Sequence, residues 1–255
     1  MIANLGRRTF AAVNHILNLS AFAFRICRLA LHRPIEGRAL LRRVILEQIY
    51  FTGFQALPVL IPVGLLIGSM LIVIFAQVSA QYDLGKTTVL LVVREIGPLV
   101  TALVLILRSA TSVTIQISYM KVFHEIEAIE MGGMDPIRLI CLPRLIGIIV
   151  SLLCLFVVFD LVLIIGGYAV VWAVTYIPMG NFLEQIGKAL TGTDIVVGLL
   201  KAVCFGSIVT VTSLYHGFRD KKSITDLPLA TSRAAIEGFS YCLAVNVIIS
   251  AGFYV

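Results

Sequence analysis

Three charged side chains interrupt a long apolar stretch of the chain, and their types indicate anion binding. Residues 88–119 hold no charged side chain other than Arg94, Glu95 and Arg108. A guanidinium presents a fork of donors that suits phosphate, and the carboxylate of Glu95 can balance its charge. Arg94 and Arg108 are close to four helical turns apart, so they share similar faces of a helix. The pattern predicts either an anion site or a structural ion pair with an arginine that reaches the end of the apolar stretch.

Other residues that often do chemistry lack informative partners. The four histidines, His15, His32, His124 and His216, have no acidic or metal-ligating neighbour at a suggestive spacing. The five cysteines form no CxxC pair and read as small apolar side chains. The chain has no GxxxxGK[ST] phosphate loop. The sequence therefore predicts a non-catalytic chain without a cofactor or metal.

Composition identifies the solvent in which these residues must work. Charged residues are 13% of the 255-residue chain, hydrophobic residues are 59%, and the mean hydropathy is +1.01. A soluble domain carries roughly 25% charged residues. Despite a net charge of +6, this composition excludes a disordered chain, a nucleic-acid-binding domain and an ordinary cytosolic enzyme. It predicts an all-α integral membrane protein.

Five stretches are long and apolar enough to cross a bilayer, which requires about 20 residues. The first predicted span lies within residues 48–82, and the others cover about 88–119, 145–176, 195–215 and 234–254. Fifteen Lys and Arg residues fall on the side of the N-terminus, whereas only Lys86, Lys188 and Lys201 fall on the other. The N-terminus is therefore expected in the cytoplasm and the C-terminus outside it.

The segment before the first span has a different character. Residues 1–47 combine arginines with apolar residues such as Phe10, Val13 and Leu17. This pattern predicts a helical segment lying in the cytoplasmic interface, or alternatively a soluble helix docked on another subunit. No removable signal peptide is expected. Residues 48–255 then form one five-span domain.

A short amphipathic helix is predicted between the second and third spans, at about residues 120–135. Apolar Ile126, Ile129 and Met134 alternate there with glutamates. Gly132–Gly133 can end the helix, and Asp135–Pro136 can begin the next one. Such a helix at the cytoplasmic mouth is either a docking element or a solvated connection.

Several motifs, in this order and spacing, resemble the MlaE/YrbE family, the permease subunits of ABC transporters that work with MCE-domain proteins. The resemblance covers about residues 45–255 and rests on REIGP at 94–98, Arg108, Met120–Lys121, Glu125, IEMGGMDPIR at 129–138, Pro143–Arg144, Asp160, Gly166–Gly167, Lys201, Phe205, Gly217 and ATSRAA at 230–235.

The resemblance implies a homodimeric permease with an interfacial N-terminal helix and five spans in a Gram-negative inner membrane. An ABC ATPase subunit would dock on the cytoplasmic side of each copy, an MCE ring would sit on the periplasmic side, and a small cytoplasmic accessory subunit is possible. The cargo would be phospholipid. The residues expected to couple to the ATPase are Lys121, Glu125, Glu127, Ile129, Glu130, Met131, Met134 and Asp135.

Three positions depart from the family pattern. Gln116 stands in place of an expected glutamate, Ser118 in place of a glycine, and Asn246 in place of a common aspartate. Two acidic groups are therefore missing from the membrane interior, which bears on the polar contacts of the second and fifth spans.

We expect the lipid site in the outward half of the second span. Arg94 would bind the headgroup, and Glu95 would balance the charge of Arg94 when the site is empty. Leu71, Ile74 and Phe75 would form the wall facing the acyl chains. Structural polar roles are predicted for Arg108, Asp160 and Arg233. Gly64 and Gly68 form a GxxxG pair that serves either the dimer or packing within one subunit.

Two other functional classes remain as alternatives. An ATP-independent secondary transporter or channel for a lipid-like solute usually carries repeats and several intramembrane carboxylates, and only Glu95 and Asp160 are clearly within spans. A membrane-embedded lipid-modifying enzyme would require catalytic groups among the four histidines.

Overall fold

The fold is entirely helical within the part of the chain that the computed structural model describes, which is residues 2–32, 38–78, 89–169, 172, 188, 190–219 and 224–254. Five segments there are long and apolar enough to cross a membrane. They are Arg42–Leu71, Val93–Val122, Ile137–Ala169, Gly192–Phe218 and Ile224–Phe253, the first to fifth spans. The predicted class, an all-α integral membrane protein with five spans, is confirmed.

The described residues form nine α-helices joined by shorter turns, and seven of these helices contribute to the spans. The α-helices are α1 Ile2–His32, α2 Arg38–Thr52, α3 Leu57–Val78, α4 Gly97–Leu105, α5 Thr111–Val122, α6 Glu125–Met131, α7 Leu142–Leu161, α8 Gly192–Phe218 and α9 Leu227–Tyr254. Single 3₁₀ turns cover Phe54–Ala56 and Ile224–Asp226, and wider π-helical turns cover Val89–Ile96, Ile106–Ala110, Ile137–Cys141 and Val162–Gly166.

The ends of all five spans differ from the sequence prediction, and the beginnings of three differ most. The first span includes residues 42–47, which had been assigned to the N-terminal segment, because α2 leads into α3 through only a short turn. The third span begins at Ile137, where the side chain of Asp135 accepts the backbone N–H of Ile137 (3.0 Å). The fifth span begins ten residues early, at Ile224, because Pro228 is tolerated in the first turn of α9.

The fourth span lies at the centre of the bundle and packs against the second, third and fifth spans. Glycines allow the close approach: Gly198 faces the ring of Phe156, and Gly217 faces Ile117. Buried hydroxyls in this span are satisfied locally, since Thr210 donates to the carbonyl of Gly206 (2.6 Å). Close packing and satisfied polar groups are what a helix needs in lipid, where water cannot compensate.

The predicted GxxxG pair lies at a contact between the first and third spans of the same chain. A Cβ on Gly68 would fall 2.3 Å from the carbonyl oxygen of Leu163, and one on Gly167 would fall 2.6 Å from the carbonyl carbon of Gly68. Gly64 faces Val162 and Phe159. The two backbones therefore touch inside one subunit, which is one of the alternatives left open by the sequence. A role in a dimer stays a prediction.

One face of helix α1 packs against the end of the fourth span. This span ends on the side of the bundle where residues 123–136 join the second and third spans, and we call that side of the bundle the basic end. The ring of Phe22 lies 6.0 Å from that of Tyr215 and 6.1 Å from that of Phe218. A different face exposes the apolar side chains of Phe10, Val13 and Leu17. This amphipathic distribution agrees with an interfacial helix, whose position at a membrane surface stays a prediction.

Candidate functional site

Arg94 forms a salt bridge with a residue that the sequence analysis had not connected to it. Its Nε lies 2.7 Å from Oδ1 of Asp194, at the beginning of the fourth span. Asp194 is fully buried, whereas Arg94 exposes 20% of its side chain. Both residues lie at the opposite end of the bundle from the basic end, because each stands near the start of its span. The salt bridge therefore joins the second and fourth spans there.

The local sequence fixes Asp194 in position. Thr191 is the N-cap of α8, and Asp194 is its third residue, which together form a capping box. Both the backbone N–H and the hydroxyl of Thr191 donate to Oδ2 of Asp194, at 3.0 and 2.6 Å. One carboxylate oxygen is thus used by the helix end, and the other faces Arg94.

Glu95 belongs to a second group of contacts beside the first. Its Oε1 accepts hydrogen bonds from the ammonium of Lys201 (3.2 Å) and the hydroxyl of Ser250 (2.6 Å). Its Oε2 accepts from the amide of Asn246 (2.7 Å). Lys201 is fully buried and also donates to Ser250 and to the backbone carbonyl of Arg94, both at 2.7 Å. We call Arg94, Glu95, Asp194, Lys201, Asn246 and Ser250 the charged cluster.

The charged cluster holds two cations and two anions, so it carries no net formal charge. Charges inside a membrane are costly unless they are paired and hydrogen-bonded. Each charge here lies against an opposite charge, and Glu95, Asp194 and Lys201 also form hydrogen bonds. The expectation that Glu95 balances Arg94 requires correction, because Asp194 is the partner of Arg94 and Lys201 is the partner of Glu95. The wider π-helical turn Val89–Ile96 carries both Arg94 and Glu95, and such turns are frequent at functional sites.

Arg108 is not brought together with Arg94, although the two were expected on similar faces. Its guanidinium donates to the carbonyl of Phe51 (2.7 Å) and to Oε1 of Gln55 (2.9 Å), and it lies over the ring of Phe51. These acceptors lie at the junction of α2 and α3. These contacts connect the junction of α2 and α3, within the first span, to the second span.

The other residues predicted around the lipid have mixed environments. Leu71 packs against the hydrophobic core, whereas Ile74 is 41% exposed. The side chain of Phe75 lies outside the described residues. Asp160 is buried in the third span, and its Oδ1 has no hydrogen-bond partner among the residues that the structure describes. Arg233 is exposed near the start of α9, so its structural role stays a prediction.

The segment between the second and third spans forms the helix predicted there. Helix α6 covers Glu125–Met131, and Gly132 and Gly133 follow it, the latter with φ of +77°. Before it, His124 adopts a left-handed φ of 59°, which interrupts the helix between α5 and α6. Glu127 accepts from Lys121 (3.4 Å) and from His124, and these hydrogen bonds, above all the one from His124, hold the pKa of Glu127 below its usual value.

Helix α6 presents the amphipathic surface expected of a docking element. Ile126 is buried, and Ile129 packs against the core of the bundle. The outer surface consists of acidic and sulfur-containing side chains that are all exposed, namely Glu125, Glu130, Met131, Met134 and Asp135. Met131 exposes 84% of its surface, which makes it the residue most available to a partner. We call these five residues the α6 surface.

Two of the departures from the family pattern make specific contacts. Oε1 of Gln116 accepts from the guanidinium of Arg144 (3.2 Å), which joins the second and third spans. Asn246 donates to Glu95, as described above. An aspartate at position 246 would place a second carboxylate against Glu95, so the amide suits this arrangement of charges.

The structure also brings together two histidines that appeared isolated in the sequence. Nε2 of His15 and Nε2 of His216 lie 2.9 and 2.8 Å from the same oxygen, Oε2 of Glu237. They come from α1, α8 and α9, so only the tertiary fold makes them neighbours. This cluster was missed because no short-range spacing in the sequence signals it.

Comparison with known proteins agrees with this architecture. The chain is 28% identical to a probable ABC transporter permease protein of Rickettsia conorii over 258 residues, covering 99% of this chain and 98% of the relative. It is 29% identical to the intermembrane phospholipid transport system permease protein MlaE of Haemophilus influenzae over 213 residues, with 82% of each chain covered. The sequence model of the family described as Permease MlaE matches residues 45–251. The chain therefore belongs to the MlaE permease family of ABC transporters.

Proposed function

We propose that this chain is the membrane-spanning subunit of an ABC transporter that moves phospholipids between the inner and outer membranes of a Gram-negative cell. A partner ATPase would supply the energy, and an MCE protein would deliver or receive the lipid. This activity would maintain the lipid asymmetry of the outer membrane. The name of the Haemophilus influenzae relative, an intermembrane phospholipid transport permease, supports the cargo class.

The charged cluster is the observation that carries the lipid part of the proposal. An anionic headgroup requires a fixed cation near apolar surface, and Arg94 exposes a fifth of its side chain while Asp194 orients it. The lipid phosphate would bind the exposed part of the Arg94 side chain. Lys201 is fully buried and held by three acceptors, so we assign it to support of the site and not to contact with lipid.

The distribution of basic residues supports an orientation for the transport path. Because Lys and Arg concentrate at the basic end, that end would face the cytoplasm. The charged cluster would then lie in the outer half of the membrane, below an MCE ring. Lipid would enter or leave on the periplasmic side, and the N-terminus and C-terminus would lie on opposite sides.

The α6 surface supports the coupling part of the proposal. It is acidic, exposed and anchored by the buried Ile126, so a movement of a bound ATPase would pass directly into the second and third spans. We propose a homodimer in which each copy of the permease binds one ATPase subunit. The chain itself would remain non-catalytic and bind no cofactor for this activity.

Purification of the chain from its native membrane without crosslinking tests the proposed function. We expect an ABC ATPase and an MCE-domain protein to copurify, and mass spectrometry to find phospholipid in the complex. Transfer of fluorescent phospholipid between reconstituted vesicles should require ATP and should stop when the phosphate-loop lysine of the ATPase is replaced. Transfer by the chain alone without ATP would favour a secondary transporter, and chemically altered lipid would favour an enzyme.

A further inference from the structure

The cluster of His15, His216 and Glu237 has the composition of a metal site. The three possible ligand atoms all lie within 4.8 Å of one another. His216 is buried, and the side chains of His15 and Glu237 expose 24% and 29%. Two imidazoles and one carboxylate form a ligand set that zinc uses in proteins, with a water molecule in the fourth position.

The spacing of these atoms also suits a metal ion. Zinc–ligand bonds of about 2.0–2.1 Å in a tetrahedral site place the ligand atoms roughly 3.3 Å apart. The observed distances from the two Nε2 atoms to Oε2 of Glu237 are 2.9 and 2.8 Å. Each contact therefore needs to lengthen by only about half an ångström to admit the ion.

Packing holds the imidazoles in place before any ion binds. The ring of His15 packs edge-on against Tyr215 at 5.3 Å, and its centroid lies 5.9 Å from that of His216. Because α1, α8 and α9 each supply one ligand, the ion would join α1 to two helices that are distant from it in sequence.

We propose that His15, His216 and Glu237 bind a divalent transition metal ion, with zinc as the expected ion, and that this ion fastens α1 to the fourth and fifth spans. Each imidazole would bind through Nε2 and carry its proton on Nδ1. The site is separate from the charged cluster, which lies at the opposite end of the bundle. Its role is to control how firmly the N-terminal helix is held against the spans.

Zinc binding by the tag-free full-length chain in detergent tests this proposal. The protein is equilibrated with zinc, desalted against a weak chelator and analysed for metal by mass spectrometry. We expect one zinc ion per chain for the original protein, and about a tenfold or greater loss of affinity in His15→Ala and Glu237→Gln. His124→Ala is the matched control, because it removes an exposed histidine from the α6 region and should keep the zinc. Size-exclusion chromatography verifies that each variant is folded.

Proteolysis provides a second measurement that reports on α1 itself. Zinc should slow tryptic cleavage at Arg25 and Arg28, which are exposed on α1, in the original protein and in His124→Ala but not in His15→Ala. Absence of zinc from the original protein, or equal zinc in His15→Ala, would overturn the proposal. If His15→Ala changes the cleavage rate to the same extent with and without zinc, the three side chains form only a hydrogen-bonded contact. That result would also overturn the proposal.

Discussion

Arg94 and Asp194 join the beginnings of the second and fourth spans through a salt bridge in which Nε and Oδ1 are 2.7 Å apart. Lys201 extends this connection, since its ammonium donates to the carbonyl of Arg94 and to the carboxylate of Glu95. The proposed site for an anionic headgroup and the observed connection between spans therefore share the same residues. Variants that separate these two roles are the most informative tests.

Replacement of Lys201 should destabilise the bundle more than replacement of an exposed lysine. Lys201→Met keeps the apolar stem but leaves the carboxylate of Glu95 without its cation. Breaking a buried ion pair lowers the free energy of unfolding by about 3–5 kcal/mol. We expect a loss near the lower end of this range, because Glu95 remains one-third exposed. Thermal unfolding in detergent measures the effect, with the remaining fraction of monodisperse protein as the signal.

The double variant Lys201→Met with Glu95→Gln controls this experiment. Removing both charges should recover most of the stability, because no unpaired charge remains. Equal instability of the single and double variants would show that packing of the lysine stem, and not the ion pair, is responsible.

Gly68 should tolerate no side chain, because it lies against the third span of the same subunit. A Cβ at this position meets the carbonyl oxygen of Leu163 on the third span, so Gly68→Ala should cost about 1–3 kcal/mol or more by forcing the backbones apart. Gly252→Ala is the matched control, since nothing lies within 4 Å of its Cβ. Thermal unfolding compares the two variants. If Gly68→Ala is as stable as the original chain but its dimer dissociates, Gly68 would instead lie at the dimer interface.

Charge reversal on the α6 surface should release the ATPase. Glu130→Lys changes an exposed charge and leaves the buried Ile126 in place, whereas Ile129→Pro breaks the helix itself. Both variants should insert normally and lose most of the copurifying ATPase. Glu47→Lys, which reverses an exposed charge on α2, should keep it. Normal ATPase retention by both α6 variants would move the docking site elsewhere.

The anchoring of α6 should weaken in acid. The pKa of Glu127 is lowered from its usual 4.5, chiefly by the hydrogen bond from His124 and further by Lys121. The stabilisation is therefore complete above pH 4.5 and is lost as the pH falls through the lower pKa of the folded state. Amide exchange of Glu125–Met131, corrected for its intrinsic pH dependence, should rise over this range. Glu127→Gln should remove this pH dependence, and its persistence there would assign the effect to another group.

The number and type of elements follow directly from the sequence. Five apolar stretches predict five spans because lipid requires about 20 apolar residues and internally paired backbone groups. The short helix after the second span was predicted from alternating residues bounded by Gly132–Gly133 and Asp135–Pro136, and all these turn residues act as expected. These features are predictable because hydropathy and the residues at helix ends act within a short stretch of the chain.

The partners of the charged side chains were not predictable in the same way. Asp194 carries a local signal, the capping box with Thr191, but that signal does not indicate that its other oxygen faces Arg94. The sequence places Lys201 only among the few basic residues on the side opposite the N-terminus, yet it is fully buried and its ammonium donates to Glu95 and Ser250. Such pairs depend on the rotation of each span about its axis, which hydropathy does not determine.

The measurement that tests the account most directly is the phospholipid content of the purified transporter complex carrying Arg94→Glu, Arg94→Ala or Asp194→Asn. If Arg94 binds the headgroup, Arg94→Glu should retain less than about a tenth of the lipid, because it loses a charge-assisted contact and gains repulsion of phosphate. Arg94→Ala should retain less than the original complex. Asp194→Asn keeps the guanidinium and should retain at least as much lipid as the original complex. Full lipid occupancy in Arg94→Glu would contradict the account and leave Arg94 as a structural charge alone.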